Sequence, residues 1–133
     1  MPRCCSCRSC TSSHPTIRWL STLDAIGREP VSDSLVHRYD PRAAPDGLDG
    51  DEEMLSLCTF WYVECLASAG RLEEAQLAFE NLLTYTNDLG LYSEQIGRSG
   101  EPLGNFPKAF AHLALVSAAI ILDRRLGQPT ARA

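Results

Sequence analysis

The stretch EEMLSLCTFWYVECLASAGRLEEAQLAFENLLTY, residues 52–85, decides the fold, because it holds two helical patterns separated by a glycine. In its first half, apolar side chains cover most of the circumference of a helix predicted over Glu52–Ala69. A helix that is apolar nearly all round is buried on several sides. Asp51 is the predicted N-cap, followed by two glutamates at the positive end of the helix dipole. Gly70 suits the position after the last turn.

The second half of the stretch has a different periodicity. A helix is predicted over Leu72–Tyr85, with apolar residues at the spacing of one face and polar residues on the other. This helix is therefore expected to have one side in water. Because only Gly70 and Arg71 separate it from the preceding helix, the two helices should pack antiparallel.

Five further segments are predicted from periodicity and turn-forming residues: a helix over Thr16–Arg28, an extended piece over 35–39, loops over 40–51 and 87–105, and a helix over Pro107–Arg125. In this last helix, Pro107 fits the first turn. Arg124 and Arg125 complement the negative end of the helix. Apolar residues again cover most of its surface.

The order of the helices, apolar then amphipathic then apolar, predicts an all-α fold. Its architecture is a two-layer α/α array with apolar helices inside and amphipathic helices outside. Two nearly all-apolar helices ask for more partners than a chain of 133 residues supplies. We therefore expect either a fragment of a larger toroid or a chain that self-associates through its unpaired apolar helices.

The composition restricts the kinds of partner and the compartment. The net charge is −5 and Lys and Arg form no cluster, which argues against nucleic acid and anionic membranes as partners. The longest apolar run, Ala109–Leu122, has 14 residues, fewer than the roughly 18 of a membrane span. The N-terminus lacks the apolar segment of a secretory signal. The chain is therefore expected to be cytoplasmic and without disulfides.

Four cysteines crowd the N-terminus: Cys4, Cys5, Cys7 and Cys10. Residues 1–14 are interpreted as a disordered leader, residues 15–127 as the folded part, and residues 128–133 as a disordered tail. The C-x-x-C spacing leaves zinc binding as an alternative, but zinc sites usually need a second ligand pair at a distance. No metal site is therefore predicted. Cys58 and Cys65, on one helix face, are interpreted as core thiols.

Residues 61–83 resemble half of a tetratricopeptide repeat, through the Gly-x-x-x-Glu-Ala spacing of residues 70–75 and the Phe79 that follows. Such repeats recur every 34 residues, and arrays need about three units for stability. Thirty-four positions after Leu72 lies Phe106, where the pattern is absent. A helical-repeat module for protein interactions is therefore the alternative function.

A more extensive resemblance runs from about residue 16 to residue 126. Four stretches in order are similar to the C-terminal part of glycoside hydrolase family 15, the glucoamylase-like and trehalase-like enzymes. The first is residues 22–26 with VHRYD at 36–40, and the second is residues 46–48 leading into LCTFW at 57–61. The third is AGRLEEA at 69–75, and the fourth is NDLGL at 87–91 with Glu94 and LGNFPKAF at 103–110. The resemblance implies a partial (α/α)6 toroid, comprising the last helical hairpins of the barrel. The sugar pocket would lie at one end of the inner helices.

The resemblance also implies a chemistry. Family 15 enzymes hydrolyse α-glucosidic bonds with inversion, which requires a proton-donating acid and a water-activating base. Glu94 matches the region of the general base. Trp61 and Asn105 are weaker candidates for binding the α-glucoside or oligosaccharide substrate. From the residues alone, these three would be a solvated loop acid, a core aromatic residue and a helix cap, and no cofactor is implied.

Other features of the sequence argue against activity of the chain by itself. The family's general acid lies upstream of anything present here, and Glu64, Glu101 and Asp123 occupy no recognisable acid motif. The chain departs from the family pattern at Lys108 and Ala111, where Gln and Ser are common, and at Ile96-Gly97, where Asp-Pro is frequent. His112 is interpreted as a core histidine. We therefore expect an incomplete and inactive glycoside hydrolase fragment.

Overall fold

The computed structural model describes the backbone of residues 15–28, 31–32, 35–37 and 53–127. Within these ranges it describes the side chains from residue 20 onwards, except those of residues 31 and 32. The described residues form four helices: α1 (Pro15–Arg28), α2 (Ser56–Ala69), α3 (Leu72–Leu83) and α4 (Ala109–Leu126). Short strands join them: β1 (Val31–Ser32), β2 (Leu35–Val36), β3 (Met54–Leu55), β4 (Gln95–Ile96) and β5 (Pro102–Leu103). The predicted all-α class is confirmed, with two small sheets added to it.

Helix α2 is the central element of the core. It packs most extensively against α4 and next against α3, and it also contacts α1 and β2. Phe60 and Val63 on this helix are fully buried, and Leu66 and Ala67 are 1% exposed. The prediction that this apolar helix is covered on several sides is therefore confirmed. The antiparallel partner α3 buries Ala75, Ala78 and Leu82 and exposes its acidic residues, as its periodicity predicts.

The predicted start of α2 is wrong by about one turn. The helix begins at Ser56, its N-cap is Leu55, and no side chain caps it, so neither Asp51 nor the following glutamates begin the helix. Met54 and Leu55 instead form strand β3, which pairs antiparallel with β4. The backbone hydrogen bonds of this pairing hold the two residues extended, which overrides the helical periodicity. The predicted end is confirmed, since Gly70 adopts φ +83° and its N–H donates to the carbonyl oxygen of Ala67.

The predicted start of α4 is also wrong. Pro107 lies before the helix, after a cis peptide bond from Phe106, and the N-cap is Lys108 in an extended conformation. The Lys108 N–H donates to the carbonyl oxygen of Tyr92, 2.9 Å away, so this residue belongs to the loop contact and not to the first turn. The arginines of the last turn are confirmed.

Helix α4 has two different apolar faces. Small residues Ala111, Ala114 and Ala118 face the core, together with Leu122. Small side chains let two helix backbones approach closely, and this explains the extensive α2–α4 contact. The opposite face carries four exposed large side chains: Phe110, Leu113, Val116 and Ile120. The expectation that α4 is buried like α2 is therefore wrong for the described part of the chain. The expectation that its apolar surface lacks partners is met there.

The strands tie the N-terminal part and the long loop to α2. Strands β1 and β2 pair antiparallel, and the Val36 N–H donates to Thr59 Oγ1 of α2 at 3.0 Å. Strands β3, β4 and β5 form an antiparallel sheet in which Leu55 opposes Gln95 and Gln95 opposes Leu103. The segment predicted as a loop over 87–105 thus contains two strands. They fix its position against the start of α2.

Several predictions lie outside the described residues: the leader and its zinc alternative, the loop over 40–51, and the tail over 128–133. Cys58 and Cys65 are partly buried and pack against the core, as predicted. No helix within residues 15–28 and 53–127 has the length and hydropathy of a membrane span. In the same part of the chain, no group of three or more His, Cys, Asp and Glu side chains is arranged to hold a metal ion.

The alanine face of α4 should be intolerant of larger side chains. Ala118 is 0% exposed, so Ala118→Leu would overpack the α2–α4 contact, at an expected cost of about 1–3 kcal/mol. Ala109→Leu is the control, because Ala109 is exposed on the same helix and the expected change is within about 0.5 kcal/mol. Urea unfolding of the two variants and the parent chain measures the difference. Equal midpoints for all three would contradict this account of the packing.

Candidate active site

Tyr92 fixes the loop that carries the candidate base. Its side chain is 0% exposed, and its ring lies edge-on to Phe60, with 5.2 Å between ring centroids. Its hydroxyl donates to the carbonyl oxygen of Leu82 in α3 at 2.9 Å. Burial raises the pKa of this phenol to about 12, so it remains a neutral hydrogen-bond donor at neutral pH.

The backbone of Tyr92 is held from the other side by α4. Its N–H donates to His112 Nε2 at 3.3 Å, and its carbonyl oxygen accepts from Lys108 N–H. Since Nε2 of His112 accepts, Nδ1 carries the proton and donates to the carbonyl oxygen of Lys108 at 2.8 Å. Both ring nitrogens of His112 are therefore used, which agrees with its interpretation as a structural histidine.

Two residues further on, the backbone of Glu94 is held between α2 and the 104–107 turn. Its carbonyl oxygen accepts from Ser56 N–H at 3.2 Å, and its N–H donates to the carbonyl oxygen of Asn105 at 2.9 Å. The Ser56 hydroxyl also donates to the carbonyl oxygen of Ser93 at 3.1 Å. The loop backbone thus satisfies the first N–H of α2, in the absence of a side-chain cap at that helix end.

The carboxylate of Glu94 is held by three donors. Lys108 Nζ lies 2.8 Å from Oε1, while Asn105 donates to Oε2 from its backbone N–H at 3.2 Å and from its side-chain amide at 2.7 Å. A carboxylate offers about four lone-pair positions. Two are filled on Oε2 and one on Oε1, so one position on Oε1 remains for an incoming water. The Glu94 side chain is 29% exposed, so the carboxylate group is partly accessible to solvent.

Gly104 permits this close arrangement. Its φ is +71°, a conformation that side chains rarely adopt. A Cβ at this position would lie 3.1 Å from Glu94 Cβ and 3.2 Å from Oε2. Gly104 lies within the motif LGNFPKAF, which by itself indicates no role for this glycine. In the sequence, Gly104 is only a glycine beside an asparagine in a turn, a pattern that is too common to identify a site.

The donors set the charge of Glu94. The hydrogen bond from Lys108, followed by the backbone hydrogen bond from Asn105, holds the pKa of the Glu94 carboxyl below its ordinary value. The group is therefore ionised at neutral pH. An ionised carboxylate can accept a proton from water but cannot donate one, so this geometry suits a base and not an acid.

The structure brings together two of the three site residues predicted from sequence. Asn105 contacts Glu94 directly, whereas Trp61 lies partly buried against the core on α2. None of the hydrogen bonds around Glu94 in the described part of the chain involves Trp61. Lys108, which sequence analysis treated only as a departure from the family pattern, is an additional site residue. Its contribution depends on a contact across 14 residues, which spacing does not reveal.

The other carboxyl groups considered from sequence serve elsewhere. Glu101 is exposed and accepts from Ser99 N–H at 2.9 Å within its own turn. Asp123 is exposed near the C-terminal end of α4, and Glu64 is partly exposed on α2. Among residues 53–127, no second carboxyl group shares a hydrogen bond with Glu94.

Comparison with known proteins identifies a family and several relatives. The family described as Glycosyl hydrolases family 15 matches residues 6–120, which includes part of the segment interpreted as a leader. No solved structure gives a significant match. Three similar proteins are trehalases. Those of Mycolicibacterium smegmatis and Mycobacterium tuberculosis are 42% and 43% identical over 111 residues, and that of Thermoplasma volcanium is 41% identical over 117 residues.

These matches cover 83–86% of the chain but only 16–18% of each trehalase, so the chain spans about one sixth of the length of the relatives. The helical fold agrees with the resemblance inferred from the sequence. On the extent of the family match, the chain belongs to glycosyl hydrolases family 15.

Proposed function

We propose that the chain is part of a trehalase-like glycoside hydrolase in which Glu94 is the general base of an inverting hydrolysis of an α-glucosidic bond. The observation that carries the proposal is the carboxylate of Glu94, held ionised by Lys108 and Asn105 and partly exposed to solvent. The substrate class follows from the relatives, which are named trehalases. The family match includes the helical pair that resembles a tetratricopeptide repeat, which argues against the repeat as an alternative.

In the proposed reaction, a water molecule hydrogen-bonded to Oε1 of Glu94 attacks the anomeric carbon. Its proton passes to Glu94 as the bond to the leaving oxygen breaks, and a separate carboxylic acid protonates that oxygen. Inversion requires the two carboxyl groups to lie about 6.5–9.5 Å apart, with room for the water between them. Asn105 and Lys108 hold the base in position, so its orientation does not have to be organised during the reaction.

Lys108 has two opposing effects on this base. Its ammonium group keeps Glu94 ionised to lower pH, and it also weakens the proton affinity of the carboxylate. The site therefore favours a base that is available over a wide acidic range, with a smaller driving force for proton transfer. No recognisable motif of the family's acid occurs in the chain, so in the proposed reaction the acid is supplied from outside the described residues.

The role of Glu94 can be tested in a complete enzyme. The whole chain would replace its matching segment in the M. smegmatis trehalase. Glu94→Gln in this fusion should lower kcat for trehalose by about 10²–10⁴-fold, because amide nitrogen and oxygen cannot accept the proton of water as a carboxylate does. Glu101→Gln is the control, since Glu101 lies exposed in the same loop, and should leave kcat unchanged. Equal kcat for Glu94→Gln and the parent fusion would refute the assignment.

The effect of Lys108 can be tested in the chain by itself. Lys108→Met removes the ammonium group and should raise the pKa of Glu94, measured by carbon-13 NMR titration of its carboxyl group. Lys108→Arg keeps the charge and should retain most of the depression. Because the folded-state pKa is lowered, the contribution of Glu94 to stability is present above its unfolded pKa and is lost as pH falls through the folded pKa. Unfolding of Lys108→Met should therefore depend less on pH in this acidic range. An unchanged titration curve would contradict the account.

The isolated chain should show no hydrolysis. Purified protein incubated with trehalose or maltose should release no glucose above a protein-free blank, because the base lacks its acid. The Glu94→Gln chain serves as a background control. Glucose release by the parent chain that the substitution abolishes would show that the described residues already form a working site.

A further inference from the structure

Three hydrogen bonds form a closed ring between the backbone of Tyr92 and the start of α4. The Tyr92 N–H donates to His112 Nε2 at 3.3 Å, and His112 Nδ1 donates to the carbonyl oxygen of Lys108 at 2.8 Å. The Lys108 N–H donates back to the carbonyl oxygen of Tyr92 at 2.9 Å. The imidazole of His112 takes part in two of these three bonds, so the ring depends on its protonation state.

The ring sets the position of the Glu94 carboxylate through Lys108. The backbone of Lys108 is held on both sides, its N–H by Tyr92 and its carbonyl oxygen by His112. Its side chain extends from this fixed backbone, and its ammonium group lies 2.8 Å from Glu94 Oε1. Glu94 follows Tyr92 by two residues, so the ring also fixes the other end of this contact. His112 therefore acts on the candidate base without touching it.

The ring requires a neutral imidazole. Nε2 accepts a hydrogen bond only while it carries no proton. Because Nδ1 already carries the proton that it donates to Lys108, a second proton on the imidazole must bind to Nε2. It would point at the Tyr92 N–H, and a hydrogen bond would become a contact between two donors. Tyr92 is 0% exposed, so its N–H reaches no other acceptor in water unless the loop moves.

The groups around His112 do not offset this loss. The ring of Tyr92 lies edge-on, with 5.9 Å between centroids, and its phenol is neutral because burial raises its pKa to about 12. Lys108 is a cation whose ammonium group is bound to Glu94. Among the described residues, the carboxyl groups on the helices packed against α4 form no hydrogen bond with the imidazole: Glu64 on α2 and Glu73, Glu74 and Glu80 on α3.

The protonation of His112 precedes that of Glu94 as the pH falls. An imidazole ordinarily gains its proton at a higher pH than a carboxyl group does. The hydrogen bonds from Lys108 and Asn105 lower the pKa of Glu94 and so separate the two events further. The contact between His112 and Tyr92 is therefore lost while the base is still charged.

We infer that His112 is a positioning residue for the base, whose neutral imidazole holds the Tyr92–Glu94 segment against α4 and whose protonation releases that segment. The acid limit of the site is then set by His112 and not by neutralisation of Glu94. This statement about the limit rests on the proposed function, whereas release of the segment does not.

Amide hydrogen exchange in the whole chain tests the release without reference to activity. NMR follows the protonation of the His112 ring and, in the same samples, the protection factor of the Tyr92 amide. This factor is the exchange rate of an unstructured peptide at that pH divided by the measured rate. It should fall by about tenfold or more as His112 gains its proton, because one buried hydrogen bond is lost. The amides of Phe60 and Val63 in α2 should keep their protection.

Two substitutions separate His112 from other effects of pH. His112→Gln offers an acceptor oxygen that does not titrate, so the Tyr92 protection factor should become independent of pH. His37→Gln is the matched control, since His37 forms a bridge with Met54, and none of the described hydrogen bonds of Tyr92 and Glu94 involves it. This variant should behave like the parent.

Three results would overturn the inference. The first is a Tyr92 protection factor that does not change as His112 gains its proton, and the second is an equal fall in His112→Gln. The third is a simultaneous loss of protection at Phe60 and Val63, which would show unfolding of the whole domain. Where a variant does not fold, the parent chain decides, because both titrations are measured in the same sample.

The fusion with the M. smegmatis trehalase tests the consequence for the base. With His112→Gln, kcat/KM for trehalose at the acid end of the pH profile, relative to its maximum, should be about threefold or more higher than in the parent fusion. Identical profiles would overturn the positioning role. Release of Tyr92 in the isolated chain together with an inactive fusion supports the release and counts against the assignment of Glu94. Hydrolysis that depends on Glu94, with Tyr92 protected at every pH, has the opposite meaning.

Discussion

The burial of Tyr92 is the constraint on which the arrangement of the site depends. Its ring occupies the core between α2 and α4, and its hydroxyl donates to a carbonyl oxygen near the end of α3. Its backbone is hydrogen-bonded to His112 on α4 and to Lys108, the N-cap of that helix. An irregular segment between helices would ordinarily be among the less constrained parts of a domain. Here one buried side chain connects it to three helices, so Glu94, two residues away, has a defined place.

The hydrogen bonds that hold the Glu94 carboxylate in place also lower its affinity for a proton. Lys108 and Asn105 occupy most of the acceptor capacity of Glu94 and stabilise its charged form. Gly104 allows the turn to approach the carboxylate closely enough for both contacts. A group held in this way is a poor proton donor and a well-positioned acceptor. For this reason we propose Glu94 as the base of an acid–base pair.

Helix α4 has one face in the core and one face that is exposed among the described residues. The alanine face binds α2 closely within the chain, whereas the face with large side chains has no cover among the described residues. Since Lys108 stands at the start of this helix, the helix that orients the base also presents the unoccupied surface.

The sequence by itself determined the helical class, the pairing of α2 and α3 through Gly70, and the family, because periodicity, glycine conformation and ordered motifs are local properties of the chain. It also identified Glu94 and Asn105 as a potential site, through resemblance. It misplaced the starts of α2 and α4, since strand pairing at Met54–Leu55 and the contact between Lys108 and Tyr92 join segments distant in the chain. Only the tertiary structure decided the ionised state of Glu94, the roles of Lys108 and Gly104, and which face of α4 is exposed. Each of these depends on which distant atoms come within a few ångströms of one another, and spacing along a sequence does not specify that.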